Sequence, residues 1–458
     1  MTAAFHLDYD AMPGPRGLPL LGSFPALARR GPFEFFSDCF RRYGDAFRVR
    51  MGGSRELALF AHPDALQRVL QSNVDNYQKG VSYDPVRELM GNGLVTSSGS
   101  FWARQRRLTQ TVFRLADIAR YLPVMARCVN AMHRRWERAA TPLDVREEMT
   151  RLTQHIVGLT LFGLDLSDSA SESAKAVDHA LVHVVSRVNQ GLAPPLWLPT
   201  PGNRRYFRSL RLLDEIVYSI ITRTREGQLD VGDDTPTLLR ALMAAEDEDT
   251  GERMSDQQLR DETITLYIAG HETTAGLLTW ALELLTRHPE VLGRVREEVS
   301  AAALDEAAPT LAQLDALPYT RMVIDETLRM RPSAWVLTRT ATAEDTLRGV
   351  RVPAGAVVAT GIYFAHHHPD FWDLPHEFRP ERFEPAAVRA RHKYAYLPFL
   401  RGPRICIGNR FALYEATLAL AMTLRRFSLR RPWPVPVGIE ALALMVPTQP
   451  VLIEHAPR

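Results

Sequence analysis

The chain has 458 residues, of which 46% are hydrophobic and 24% are charged, and its formal net charge is +2. This balance is typical of a globular protein with a large core, and it excludes the strongly basic surface that binds nucleic acid. Three cysteines (Cys39, Cys128 and Cys406) are too few and too widely spaced for a disulfide framework, a zinc site or an iron–sulfur cluster.

The N-terminal residues, the hydropathy and the cysteine content predict the cellular location of the protein. The first residues lack a basic segment followed by an apolar run, so we expect no signal peptide. The most apolar long stretch, 264–282, contains His271 and Glu272, and we expect no membrane anchor. Because sparse cysteines fit a reducing compartment, we predict a soluble, cytoplasmic protein.

The first half of the chain reads as a lead-in followed by a short hairpin and helices. Residues 1–30 form a proline- and glycine-rich lead-in, and 33–43 predict a helix. Residues 47–61 alternate between apolar and polar side chains, which predicts a short β-hairpin. From about 100 to 245, apolar residues recur at spacings of three and four, which indicates helices.

The second half contains the longest predicted helix. It begins after Ser255, which forms a capping-box pair with Gln258, and continues to about His288. A further helix spans about 314–330 and stops before Pro332, because proline cannot continue the backbone hydrogen bonds.

The C-terminal third mixes strands, irregular segments and one helix. Residues 335–362 are rich in Val, Thr, Leu and Gly and predict short strands, whereas 369–400 is proline-rich and irregular. A last helix covers about 409–427. We therefore predict one mostly α domain with minor β structure over 1–458, without a fused reductase.

A single cysteine segment carries the strongest chemical signal. A lone cysteine is usually a small buried hydrophobe. Cys406, however, precedes a predicted helix N-terminus, where amides and the helix dipole favour a thiolate, and Arg404 adds positive charge. Gly402 and Gly408 permit a tight loop and the close approach of a flat ligand. The segment therefore predicts a thiolate that binds a metal centre.

This segment, 398–408, resembles the haem-binding loop of the cytochrome P-450 family, F-x-x-G-x-R-x-C-x-G. The resemblance implies the cytochrome P-450 fold, with haem b (iron protoporphyrin IX) buried between the long helix and the helix after the cysteine. It also implies that Cys406 is the iron ligand and that Phe399, Arg404 and Gly408 contact the haem. The position after Phe399 is usually small or polar, whereas here Leu400 and Arg401 follow, which predicts a differently shaped loop.

A second motif lies in the long helix, where 269–274 read Ala-Gly-His-Glu-Thr-Thr. A glycine and a threonine within a helix by themselves would indicate only a kink. Glu272, however, is an acid in a helix that should be largely buried, which is costly without a role or a partner. The motif resembles the family's oxygen-activation segment. It implies that Ala269 and Gly270 contact the haem and that Glu272 and Thr273 relay protons to bound O2.

Further motifs imply contacts that hold the fold together. Glu326 and Arg329 match the family's E-x-x-R, and Arg382 belongs to a Pro-Glu-Arg-Phe sequence that accompanies it. At a spacing of three, the two charges share a helix face. Such a pair is usually a weak surface interaction. In the family it is buried, so the resemblance implies a structural triad of Glu326, Arg329 and Arg382.

Basic residues supply the implied haem-propionate contacts. Trp102 and Arg106 lie four positions apart, on one helix face, and match the family's W-x-x-x-R. Arg106 and Arg404 would bind the two propionates by charge-assisted hydrogen bonds. Arg339 matches a third propionate position, although a solvated strand arginine explains it almost equally well. We do not interpret 366–368, three consecutive histidines, as a metal site, because no acidic or cysteine partner is suitably spaced.

The resemblance also places apolar residues around the substrate. Each of these residues taken singly could equally well belong to the hydrophobic core, but together they predict an apolar substrate. Arg187, Arg204 and Arg205 are the candidates for a charged contact near the entrance. The implied lining residues are Leu94, Val95, Leu266, Ala334, Trp335, Val336 and Met445.

The resemblance implies a haem–thiolate monooxygenase that hydroxylates or epoxidises a fatty acid, terpenoid or polyketide with O2. Electrons would come from a separate ferredoxin or flavodoxin and its reductase, docking near Arg401 and Arg410. One alternative is a peroxide-driven peroxygenase, which would not need Glu272 and Thr273. Another is a non-catalytic haem- or ligand-binding protein, against which the same two residues argue.

Overall fold

The computed structural model describes residues 7–53, 55–164, 195–229, 237–433, 436–441 and 443–458. Within them the α-helices are α1 (Phe24–Arg30), α2 (Pro32–Tyr43), α3 (Pro63–Gln67), α4 (Asp84–Met90), α5 (Gly99–Gln110), α6 (Leu115–Trp136), α7 (Val145–Val157), α8 (Pro201–Arg225), α9 (Leu238–Ala244), α10 (Asp256–Arg287), α11 (Pro289–Ala301), α12 (Leu311–Asp315), α13 (Pro318–Met330), α14 (Ile362–His366), α15 (Pro385–Ala390) and α16 (Asn409–Arg426).

The β-strands are short and form small sheets. They are β1 (Leu7–Asp8), β2 (Ala46–Gly52), β3 (Arg55–Phe60), β4 (Tyr77–Gln78), β5 (Leu143–Asp144), β6 (Val336–Ala341), β7 (Asp345–Leu347), β8 (Val350–Val352), β9 (Val357–Gly361), β10 (Phe427–Arg430), β11 (Ile439–Ala441), β12 (Met445–Pro447) and β13 (Leu452–Pro457). The prediction of a mostly α protein with minor β structure is confirmed.

The long helix α10 is the centre of the fold. The Ser255 side chain accepts from the Gln258 N–H, and the Gln258 side chain accepts from the Ser255 N–H, so the predicted capping box is present. The helix ends at Arg287, and Pro289 opens α11. Helices α7, α8, α13 and α16 all pack against α10. Helix α16, which follows Cys406, therefore packs directly against α10, which contains Glu272 and Thr273.

A five-stranded sheet in the order β2-β3-β9-β6-β4 stands beside the helices. The predicted hairpin is β2 and β3, which pair antiparallel, and β3 pairs parallel with β9. The strands β6 and β9 pair antiparallel, with Leu337 opposite Thr360. This sheet and helix α2 enclose an apolar core that is separate from the large helical core.

The structure differs from the sequence-based expectation at three proline-containing segments. The helix predicted over 314–330 is two helices, because Pro318 begins α13 at its first position, where a missing N–H is not needed. Residues 24–30 of the lead-in form α1. Residues 385–390, within a segment predicted to be irregular, form α15, again with proline at its first turn.

Glu326 and Arg329 are fully buried and pin the segment that leads to the cysteine loop. The Arg329 Nε and Nη2 atoms donate to the two oxygens of Glu326 at 2.6 and 2.8 Å. Arg329 also donates to three backbone carbonyls within 366–377. Arg382 Nε lies 3.5 Å from the Glu326 Oε1 atom. The structure thus brings the predicted triad together, and removing one member would leave a buried charge uncompensated.

Candidate active site

The cysteine loop is shaped by its backbone. The Cys406 N–H donates to the Phe399 carbonyl at 2.8 Å, two residues before Gly408 caps α16. Gly402 has φ +78°, and a Cβ added there would lie 2.2 Å from the Leu70 carbonyl oxygen. Only glycine fits this position, because a side chain would meet both backbone strain and a backbone atom.

The thiol of Cys406 is surrounded by protein yet accessible. Burial raises the pKa of the thiol, and neither the Gly408 N–H nor Arg106 lowers it enough to compensate. The surface of Cys406 is nevertheless exposed, so the sulfur faces an internal space. The Gly408 N–H nevertheless acts in the predicted direction, whereas the neighbouring cation is Arg106 and not the predicted Arg404, whose guanidinium lies over the Trp102 ring. A bound metal ion would itself deprotonate a coordinating thiol.

The half-buried Arg404 and the buried Arg339 are neighbouring cations that repel each other. The Arg404 guanidinium lies 4.2 Å from the centroid of the Trp102 ring and donates to the Ser97 carbonyl at 3.2 Å. Arg339 is 3% exposed and donates to the Tyr83 hydroxyl at 3.0 Å. Burial and the charge of Arg339 lower the pKa of Arg404 to about 10. The alternative of a solvated strand arginine at Arg339 is therefore wrong.

Lys79 joins this cluster and was missed in the sequence. Its Nζ atom donates to the Leu94 carbonyl at 3.1 Å. Burial, followed by the charges of Arg404 and Arg339, lowers the pKa of Lys79 to about 6. One signal was available: Lys79 is one of only three lysines in a chain whose other basic residues are arginines.

The cluster fits the carboxylates of a haem. Among the described residues, no carboxylate lies within ion-pair distance of Lys79, Arg339, Arg404 or Arg106, and Glu262 acts on Lys79 only at longer range. Clustered interior cations are unfavourable without an opposite charge. Two propionates would supply that charge, and the accessible thiol would supply an iron ligand. The residues present therefore fit haem b, with Lys79 as a further propionate contact.

One stripe of α10 is accessible inside the protein. Leu266, Ala269, Gly270 and Thr273 are only partly buried, whereas most residues around them on the helix are buried. Their spacing of three and four positions places them on one face. A Cβ added to Gly270 would lie 3.2 Å from Val157 on α7, so this glycine also permits close packing of the two helices.

The acid and the alcohol of the motif are adjacent, with different partners. The Thr273 hydroxyl donates to the Ala269 carbonyl at 2.7 Å, and α10 continues unbroken through this turn. Glu272 lies 3.2 Å from the Nε2 atom of His271. Burial raises the pKa of Glu272, but His271 and Arg146 outweigh this effect and lower it. The carboxylate is therefore held in its charged form beside Thr273.

The apolar lining predicted for the substrate divides into two groups. Val95, Leu266, Ala334 and Val336 are partly exposed within the protein, whereas Leu94, which precedes Val95, is buried. Val95 and Leu266 border the large helical core. Nothing in this group carries a charge, so the lining that remains accessible is apolar.

Trp335 and Met445 belong to the core instead, which corrects their predicted role. Both are buried in the core of the sheet, where Trp335 packs edge-to-face against Phe33, Phe36 and Phe364. The reason is the alternation of side chains along extended backbone, which puts Trp335 on the opposite side from its neighbours in sequence.

The loop 91–98 precedes α5 and is clamped to α10 by charged side chains. The Asn92 N–H donates to Asp261 at 2.8 Å, and the Leu94 N–H donates to Glu262 at 3.1 Å. Glu262 is 1% exposed, and burial raises its pKa to about 7. These two acids were missed, although adjacent acids in a helix predicted to be buried were a signal of the same kind as Glu272.

The remaining candidates lie apart from the site. Arg204 and Arg205 are exposed at the start of α8, and Arg187 lies outside the described residues. The histidines of 366–368 contact three different partners: Leu397 N–H, the Tyr363 carbonyl and Asp45. Packing accounts for each of these histidines.

Comparisons with known proteins give the class of this molecule. A family model described as cytochrome P450 matches residues 12–454. The chain belongs to the cytochrome P450 family. Of the helices that the structure describes, none has the length and apolarity needed to cross a membrane.

Individual relatives cover almost the whole chain. Cyclooctatin synthase of Streptomyces melanosporofaciens is 37% identical over 442 residues, which are 95% of this chain and 92% of the relative. Pentalenene oxygenase of Streptomyces avermitilis is 35% identical over 416 residues, 90% of each chain. The crystal structure of the cytochrome P450DA heme domain has a TM-score of 0.89 at 29% identity, covering 99% of this chain and 98% of that one.

These findings confirm the predicted family, fold, cofactor and reaction class. The protein is a haem-iron monooxygenase that uses O2, an organic substrate and redox partners.

Proposed function

We propose that this cytoplasmic monooxygenase hydroxylates or epoxidises an apolar terpenoid, with Cys406 as the ligand of the haem iron. The observation that carries the proposal is the exposed Cys406 beside Arg106, together with the cations Arg404 and Arg339, which form no ion pair with a described carboxylate. The haem supplies oxygen activation, while the protein supplies the ligand, the orientation and the protons.

The substrate class is supported by the lining and by two names. Leu266, Ala269, Ala334 and Val336 offer apolar surface, with no charged anchor among them for a fatty-acid carboxylate. Relatives at 35–37% identity are named pentalenene oxygenase and cyclooctat-9-en-7-ol 5-monooxygenase. Both names denote cyclic, largely hydrocarbon molecules, which favours a terpenoid over the fatty acids and polyketides that the sequence also allows.

Two spectra test this proposal. Substrate that displaces iron-bound water shifts the Soret band, so cyclic terpenes should shift it at lower concentration than fatty acids of equal carbon number. Cys406→His should retain haem but lose the CO-bound spectrum of a thiolate, whereas the buried Cys39→Ala should keep it. An unchanged CO spectrum in Cys406→His would refute the assignment of the ligand, and a preference for fatty acids would refute the substrate class.

The proton supply is proposed to pass through Thr273 and Glu272. Thr273→Ala should divert electrons from product to peroxide, because the hydroxyl no longer orients the proton donor beside O2. Thr279→Ala is a matched control, since its hydroxyl donates to the Ala275 carbonyl at 2.7 Å on the same helix. Equal coupling in Thr273→Ala and wild type, with peroxide alone driving full turnover, would favour the peroxygenase alternative.

An acidic ferredoxin or flavodoxin is proposed to dock near the cysteine loop. Arg410 is exposed at the start of α16, and Arg401 is half-buried near Tyr394. The double variant Arg401→Glu/Arg410→Glu should slow reduction about tenfold at low salt. The control Arg223→Glu/Arg389→Glu carries the same charge change elsewhere. Equal reduction rates in the two variants would exclude this docking site.

A further inference from the structure

An exposed tryptophan stands in the turn before α8. Trp197 is 81% exposed, and Leu198 beside it is exposed as well. Phe207, two turns into α8, is a third large apolar side chain in contact with solvent. Scattered apolar residues on a surface need no explanation, but a concentration of large ones indicates an interaction site.

The turn that carries Trp197 is held in place. The buried Asn203 donates through its side-chain amide to the carbonyls of Pro195, at 2.9 Å, and Leu198, at 2.8 Å. The Asn203 N–H itself donates to the capping hydroxyl of Thr200 at 3.1 Å. The indole is therefore presented to solvent by a turn anchored on α8, and its exposure is part of the fold.

The same end of α8 carries a row of arginines. Arg204, Arg205, Arg208 and Arg211 are exposed. At about 100° per residue, Arg204, Arg208 and Arg211 share one side of the helix with Phe207, whereas Arg205 points to a different side. None of them forms an ion pair with a described carboxylate. At the opposite end of α8, by contrast, Arg225 pairs with Asp256. Cations near a helix N-terminus oppose the helix dipole, so this row does not serve the stability of the helix.

We propose that the Trp197 patch (Trp197, Leu198, Arg204, Phe207 and Arg208) docks on the surface of an anionic lipid bilayer. Tryptophan favours the boundary between headgroups and acyl chains. Arginines without acidic neighbours are attracted to phosphate headgroups. Positive charge interleaved with bulky apolar side chains on one helix face is the composition of interfacial helices. The contact is peripheral, and it would bring the enzyme to the phase into which apolar molecules partition.

The test uses the haem-loaded full chain and vesicles without substrate, so its outcome is independent of the proposed substrate class. The protein should float with vesicles of phosphatidylcholine containing one third phosphatidylglycerol, and much less with pure phosphatidylcholine. Arg204→Glu/Arg208→Glu should lower the partition coefficient about a hundredfold. Trp197→Ser should lower it about tenfold and remove a blue-shifted part of the fluorescence.

Two matched controls make the same kinds of substitution outside the patch: one replaces another exposed tryptophan, and one reverses the charge of two other arginines. Trp433 is 60% exposed, but the neighbouring Arg430 and Arg431 are paired with Glu454 and Glu283. Trp433→Ser should therefore bind like wild type.

Arg223→Glu/Arg389→Glu reverses two exposed arginines outside the patch and should also bind like wild type. The proposal fails if wild type does not bind anionic vesicles, or if the patch variants and the controls bind equally. It also fails if the patch variants slow reduction by a ferredoxin while vesicle binding stays intact, because the patch would then dock a protein.

Discussion

Two loops border the active site, and they are held in different ways. The cysteine loop, 399–408, is closed by a backbone hydrogen bond from Cys406 and by the fit of Gly402 against Leu70. The access loop, 91–98, is clamped by the buried carboxylates of α10 and by Lys79. Backbone hydrogen bonds do not titrate near neutral pH, whereas buried carboxylates and amines do.

The difference matches what each loop has to do. An iron ligand must keep its position through the whole reaction, and backbone geometry provides this at any pH. A loop that borders the substrate space must allow substrate to enter, and Glu262 leaves its stability sensitive to pH. Three substitutions probe this contrast.

The largest effect is expected for Gly402→Ala. Its Cβ would lie 2.2 Å from a backbone oxygen at a φ of +78°. We expect a loss of about 3–5 kcal/mol in the free energy of unfolding, together with a low yield of the CO-bound thiolate spectrum. Urea unfolding and the CO spectrum measure these effects.

Gly293→Ala on α11 is the matched control. A Cβ at Gly293 would meet no atom within 4 Å, so this helical glycine should gain about 0.5–1 kcal/mol when replaced. If Gly402→Ala proved as stable as Gly293→Ala, the cysteine loop would not be constrained as described.

A smaller effect, dependent on pH, is expected for Glu262→Gln. The folded pKa is about 7, above the ordinary value of 4.5, so between these values the folded protein holds a proton that the unfolded chain releases. The contribution of Glu262 to stability is therefore greatest at low pH and is lost as pH rises to about 7. Lys79, whose pKa is lowered to about 6, contributes in the opposite sense over the same range and is present in both proteins, so the two pH profiles are compared with each other. From about pH 5.5 to about pH 7.5, Glu262→Gln should gain about 2 kcal/mol in stability relative to wild type.

Urea unfolding across this pH range measures the difference. The control Glu290→Gln removes an exposed carboxylate at the start of α11 and should leave the pH dependence of wild type unchanged. Parallel pH profiles for wild type and Glu262→Gln would show that the clamp does not carry the effect.

The smallest effect is expected at Leu400 in the cysteine loop, where the usual order of stability of an alanine and a glycine variant should be reversed. Leu400 has φ +59°, in the left-handed region, and its side chain is half-buried against an apolar core. Leu400→Ala keeps the strain and loses the burial, whereas Leu400→Gly relieves the strain. The glycine variant should therefore be the more stable by about 1 kcal/mol, the reverse of the ordinary order.

Leu397, a few residues earlier, is the control for this inversion. It is fully buried, without a positive φ, so there alanine should be more stable than glycine. The same order at both positions would mean that Leu400 is unstrained, and the unusual residues of this loop would then need another explanation.

The sequence alone was sufficient wherever a feature is encoded by residues close together in the chain. The capping box of Ser255 and Gln258, the helix after Cys406 and the contact between Glu326 and Arg329 were all predicted, whereas the burial of that pair was implied only by the resemblance to the family. Each depends on a spacing of three or four residues or on a short loop, and such geometry is largely independent of the rest of the fold.

Only the tertiary structure decided which groups meet across long separations. The sequence suggested Arg404 as the cation next to Cys406, but the fold puts Arg106 there and stacks Arg404 on Trp102. The roles of Lys79 and Glu262 depend on burial, which is a property of all the surrounding elements. Charge and local residue spacing can be read directly from the sequence, whereas desolvation and long-range contacts exist only once distant segments have packed together.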